Sequence, residues 1–234
     1  MADQGLPLPV SGSSNHFRTS VLREIHGWDA WNVTEDADIG LRLARFGYSV
    51  GVLDSTTYEE APISLKAWFG QRRRWFKGWL QTFITVTRSP VTLVAELGVL
   101  RTAALTLLFL SLLAGPLFWI PSSLFVLIGV VSNRLWTPAD FSGICLATLY
   151  ASVTTLGTAS LFWYALLGMK RQRLLYLWPA LILLLPYYCL HAAAAWMALY
   201  ELFRQPFHWH KTEHGLSRST RRARAEPTGK KALA

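Results

Sequence analysis

The chain has 234 residues, of which 52% are hydrophobic, and a mean hydropathy of +0.26. The length would allow one or two soluble domains, but this composition excludes a wholly soluble chain. Charged residues make up only 16%, yet the net charge is +9, so the cations are concentrated. They cluster at Lys66 to Lys77 and in the tail from Arg218 onward, beside apolar runs, which suits an anionic membrane face or phosphates.

Residues 1–15 are rich in Gly, Pro and Ser and read as extended loop. The first seventeen residues have neither a basic n-region nor a long apolar core, so no signal peptide is expected. Phe17 to His26 predicts a short helix ended by Gly27. "NVTEDADIGLRLARFG" predicts a second. Asn32 and Glu35 have capping-box spacing, Thr34 is a competing N-cap, Ile39, Leu43 and Phe46 recur at helical spacing, and Gly47 is a stop. The acidic cluster Glu35, Asp36, Asp38 is open to three readings: a helix start, a metal site or a catalytic base. "YSVGVLD", Tyr48 to Asp54, alternates like a strand, so the soluble part is expected to be α/β or α+β.

Ser64 to Thr87 predicts an amphipathic helix or helix pair. Trp68, Phe69, Trp75, Phe76 and Trp79 interleave with Lys66, Arg72, Arg73, Arg74 and Lys77, a composition suited to the membrane interface. Thr102 to Val131 and Phe141 to Met169 contain no charge and exceed the roughly 20 residues a span needs. The first should kink or break near Pro116 and Pro121; a hairpin within it is a rival. "KRQR", Lys170 to Arg173, closes the second. A third apolar run, Leu174 to Tyr200, carries Pro179 and Pro186. A full third crossing would put the tail cations opposite "KRQR", so a run that dips and returns, or lies at the interface, is preferred. Cys145 and Cys189 lie in apolar runs and imply neither a disulfide framework nor zinc. The tail has no aromatics among its basic residues, so it reads as a disordered segment near lipid rather than a nucleic-acid site.

"SSNHFRTSVLREIHGWD", "TEDADIGLRLARFG", "STTYEEAP" and "QRRRW", in that order before membrane spans, resemble the second half of a membrane-bound family-2 glycosyltransferase of the cellulose synthase and hyaluronan synthase type. The likeness covers most of residues 10–217. It implies a partial GT-A-type α/β domain over residues 1–62. Interfacial helices with "QRRRW" would follow at 63–90, transmembrane and interfacial helices at 91–204, a gating-loop-like segment at 205–217 and a basic tail at 218–234. It also implies a multi-pass protein of the bacterial inner membrane with its catalytic part and tail cytoplasmic.

The resemblance assigns roles residue by residue. Asp36 would be the base that takes the acceptor proton, with Glu35 and Thr34 as neighbours. Gln71, Arg74 and Trp75 of QxxRW would lie near the nucleotide diphosphate and acceptor end, Arg74 as a planar fork for phosphate and Trp75 as a sugar platform. Ser14 and Asn15 match an acceptor-side element. Trp209, Lys211, Thr212 and His214 would be gating-loop contacts. Arg72, Arg73 and Lys77 have a rival reading as grips on lipid head groups. "DAD", Asp36 to Asp38, fits the DxD spacing, but the family's metal-binding DxD follows an earlier strand. No metal ligand is therefore assigned here, and the Mg or Mn of a full enzyme would have its main ligands elsewhere. The expected partners are a nucleotide sugar, a glycan acceptor, membrane lipids and a separate chain or segment carrying the nucleotide-binding half, with no nucleic acid. About ninety residues before the first span are too few for a full nucleotide site, so the chain alone is expected to be inactive. The competing reading is a non-enzymatic membrane subunit with a basic lipid-binding face.

Overall fold

The computed structural model describes residues 5–53, 55–133 and 140–206. Seven α-helices are seen among them: α1 (Thr19–Glu24), α2 (Glu35–Arg45), α3 (Leu65–Thr87), α4 (Pro90–Leu97), α5 (Val99–Val131), α6 (Phe141–Arg171) and α7 (Leu184–Arg204). A 3-10 segment, Leu175–Leu183, precedes α7. Two compact units are present: Met1–Ala114 with Ala193–Ala234, and Gly115–Ala192.

In the first unit, α1 and α2 end alike. The amides of His26 and Gly27 donate to Arg23 and Leu22, and those of Gly47 and Tyr48 donate to Ala44 and Leu43. Both ends are Schellman motifs, which need a left-handed residue just past the cap. Gly47 fills that place in α2 with φ +82°, but in α1 it is His26, with φ +63°. The core here is Ile25, Ile39 and Leu43, with Val10, Phe17, Val21, Tyr48 and Val50 packed on it. A second centre is Phe109 of α5, fully buried, with ring centroids 5.7 Å from Trp79 and 5.3 Å from Phe83 of α3.

The expected α/β domain is not what forms. Among the described residues there is no strand or sheet, and Tyr48 to Leu53 has no regular secondary structure. The alternation read as a strand has another cause. Tyr48 and Val50 turn inward onto the helical core while Ser49 and Gly51 stay exposed. A period of two requires only an extended chain with one buried side; a strand also requires a hydrogen-bonding neighbour.

α3 is one helix, not two. Ser64 caps it, its Oγ accepting from the Ala67 amide at 3.2 Å. α5 also runs unbroken through Pro116 and Pro121, so neither a break nor a hairpin forms there. Two helices, α5 and α6, are long and apolar enough to cross a membrane. The third apolar run is bent by 55° between its 3-10 segment and the part of α7 from Pro186, so up to three spans are possible by length and composition.

In the second unit, Phe125 stacks on Tyr150 at 5.3 Å and Trp119 lies 5.6 Å from Tyr188. Most large apolar side chains of this unit are exposed, Leu127, Ile144, Leu156 and Trp163 among them. An apolar surface of that extent suits lipid rather than water.

Candidate active site

The turn before α2 is built from its own side chains. Asn32, buried, accepts at Oδ1 from the Thr34 amide at 3.0 Å and from the Thr34 hydroxyl at 3.3 Å. Thr34 occupies the N-cap without a side-chain cap bond. Asn32 therefore folds the approach as an Asx turn instead of capping the helix itself. Its Nδ2 donates to Thr82 of α3 at 2.8 Å, which ties the turn to that helix.

Two glycines permit the close packing around α2. A Cβ at Gly78 of α3 would fall 2.3–2.7 Å from three Thr34 side-chain atoms. A Cβ at Gly40 would fall 2.5 Å from the Leu8 carbonyl oxygen and 2.7 Å from the Val10 nitrogen. The N-terminal segment thus crosses α2 at Gly40 and brings Gly12 beside Asp36 Oδ2. Neither glycine was singled out in the sequence, because a close approach between distant segments leaves no local pattern.

Arg74 faces this turn. Burial pushes its guanidinium below the ordinary arginine range, while the charges of Glu35 and Asp36 act in the opposite direction. Its Nε is buried with no hydrogen-bond partner among the described residues. Asp36 is half-buried and accepts from the Ala37 amide at Oδ1, 2.8 Å away; Glu35 is exposed. Glu35 and Asp36 thus lie within electrostatic range of Arg74, which is about forty positions away in sequence. Gln71 lies one turn before Arg74 on α3 and is half-buried. Trp75 carries the Arg72 guanidinium over its ring, 4.4 Å from the centroid, and Trp68 approaches the same cation at 5.6 Å. One face of Trp75 is therefore taken.

Ser14 and Asn15 follow Gly12 in the same N-terminal segment. They line an open cleft of about 1110 Å³ shared with Leu8, Phe17, Tyr48 and Thr57, and neither Asp36 nor Arg74 lines it. Ser14 Oγ is 2.8 Å from Thr57 Oγ1, and Asn15 Nδ2 donates to the Ser11 carbonyl. Trp209, Lys211, Thr212 and His214 lie outside the described residues, as does the basic tail.

Asp38 is no partner of Asp36. It is buried and ion-paired at 2.5 Å with Arg42, which also donates to the Ile25 and Gly27 carbonyls at 3.1 and 2.9 Å. Arg42, which the sequence did not single out, fastens α2 to the end of α1. Among the described residues no three His, Cys, Asp or Glu side chains converge as a metal site. With Asp38 committed to Arg42 and a cation beside Glu35 and Asp36, the DAD does not suit a divalent ion.

Two presumed lipid cations are turned inward. Arg73 pairs with Glu201 of α7 at 2.9 Å. Lys77 is 1% exposed, and its Nζ donates to the Gln205 carbonyl at 3.2 Å. Burial lowers its pKa, opposed by Glu201. Both cations are thus engaged by residues 201–205.

The profile of glycosyl transferase family group 2 matches residues 2–203. "Probable glycosyltransferase YdaM" of Bacillus subtilis (strain 168) is 30% identical over 70 residues, 30% of this chain and 17% of that protein. A "Probable glycosyltransferase" of Sulfolobus acidocaldarius is 34% identical over 67 residues, 29% of this chain and 14% of that protein. Each match thus spans less than a fifth of the relative's length. No solved structure matches the chain.

Proposed function

The chain belongs to glycosyl transferase family group 2, and from that premise we propose that it is the acceptor-side and membrane half of an inverting enzyme of the cellulose synthase and hyaluronan synthase type. The enzyme transfers a sugar from a nucleotide-sugar donor to a growing glycan or another acceptor. The observation that supports this most is the packing of the QRRRW helix on the TED turn, with Gly78, one turn after Arg74, against Thr34 and the Glu35 and Asp36 charges within electrostatic range of Arg74.

In the reaction, Asp36 takes the proton of an acceptor hydroxyl as its oxygen attacks the anomeric carbon. The new glycosidic bond forms as the bond to the diphosphate breaks, and the nucleoside diphosphate leaves with that electron pair. Arg74 is a fixed cation beside this exchange, and a guanidinium with an unpartnered buried Nε is suited to developing phosphate charge. The face of Trp75 away from Arg72 is the one open to a sugar ring. No step is assigned to a divalent ion, whose ligands in the complete enzyme belong to the nucleotide-binding part, in the same longer chain or a separate one. On this reading the protein is a multi-pass protein of the bacterial inner membrane with its active site and tail cytoplasmic. The rival reading, a basic lipid-binding face on α3, loses two of its cations to Glu201 and Gln205.

The test is Asp36→Asn in the native-length protein, assayed for transfer of labelled sugar in source membranes. Loss of a positioned base should cost about 10²–10⁴-fold in rate. Unchanged transfer would refute the assignment.

A further inference from the structure

α3 presents two faces at four-residue spacing. Arg74, Gly78 and Thr82 face the TED turn, meeting the Glu35 and Asp36 charges, Thr34 and Asn32. Arg73, Lys77 and Gln81 face the end of α7, meeting Glu201 and the carbonyls of Gln205 and Pro206. Residues four apart stack on one side of a helix, so each set forms a continuous stripe.

Gln81, in the second stripe, bonds to both sides. Its Nε2 donates to the Pro206 carbonyl at 2.8 Å, and its Oε1 accepts from the Val33 amide at 3.4 Å. Val33 lies three residues before Asp36 and is buried. A side chain that serves a carbonyl and an amide at once needs a donor and an acceptor on one short stem, which only an amide provides here. Methionine would lose both bonds, glutamate the one to Pro206 and lysine the one to Val33.

We propose that Gln81 is a positioning residue that couples the C-terminal end of α7 to the TED turn, with Arg73 and Lys77 as the supports that hold α7 in register. Displacing residues 201–206 then loosens the turn that carries Asp36. The coupling rests on the functional reading above only in calling that turn catalytic; the contacts stand without it.

The experiment is hydrogen–deuterium exchange of the full chain in lipid nanodiscs, read at the amides of Val33, Ala37 and Asp38. Gln81→Glu keeps an acceptor for Val33 but sets an oxygen against the Pro206 carbonyl. It should raise exchange in the TED turn by about tenfold, the equivalent of one net hydrogen bond, with residues 39–45 unchanged. Arg73→Glu should do the same, and the charge swap Arg73→Glu with Glu201→Arg should restore protection. Faster exchange confined to residues 201–206 in Gln81→Glu, with the TED turn unmoved, overturns the coupling. If Gln81→Glu also exposes residues 39–45, the swap decides: protection lost in Arg73→Glu and regained in the double variant supports coupling, and no change overturns it. Because exchange needs no turnover, an active Asp36→Asn enzyme would refute the catalytic reading and leave this result readable.

Discussion

At the scale of single residues, two non-glycine residues of the first unit, Ser14 and His26, are held at positive φ against their preference. His26 is left-handed, with φ +63°, at the end of α1, and its side chain is exposed. An L-residue pays roughly 1–2 kcal/mol for that conformation. His26→Gly removes the penalty without losing packing and should stabilise the unit by about 1 kcal/mol after glycine's added chain entropy is subtracted. A rise in melting temperature in detergent would show this, and a fall would mean that the imidazole has a task of its own. Asp38 carries the opposite lesson. Its place in "DAD" fits the DxD spacing without being read as a metal ligand, and its partner is Arg42, four residues on along the same helix. The pairing is legible in the spacing of "DIGLR"; what the sequence could not show is that Arg42 would also bond two carbonyls at the end of α1.

Among elements, α3 matters most, and its close approach to the turn before α2 depends on Gly78. Gly78→Ala would place a methyl 2.3 Å from Thr34 Cγ2. Forcing the helices apart should cost about 1–3 kcal/mol and shift the Arg74 guanidinium from Asp36. Thermal unfolding together with sugar transfer by the native-length enzyme would check it: both should fall. Wild-type values for both would mean that Thr34 yields freely. Helix ends were readable because their signals are local: Ser64 before α3, Gly27 after α1 and Gly47 after α2. The strand at Tyr48 to Asp54 was misread because its alternation records burial against Ile25, Ile39 and Leu43, and burial has the same period whether or not a neighbouring strand exists. Of the kink or break expected in α5, the break does not form. Proline breaks helices that water can solvate, but inside apolar runs it is tolerated.

For the whole molecule, α5 and α6 are long and apolar enough to cross a membrane, and if both cross, the segment before α5 and the segment after α6 lie on one side. "KRQR" should then share the side of the TED turn. The check is labelling with a membrane-impermeant maleimide, with Cys145 and Cys189 replaced by serine and new cysteines at Asp29 or Gln172. Both positions should react from the same face of sealed vesicles. Reaction from opposite faces would mean that one of α5 and α6 does not cross.

The tight crossing at Gly40 also has a genetic meaning. Every amino acid that can replace glycine adds at least a Cβ, and at Gly40 that atom would sit 2.5 Å from a backbone oxygen that no side-chain rearrangement can move. The position should therefore tolerate no missense change, whatever the new residue's chemistry. In a saturation screen its profile would be flat and uniformly poor. Asp36 would instead rank its replacements by their ability to take a proton. The two patterns separate a residue needed for shape from one needed for reaction, in a screen that knows nothing of structure.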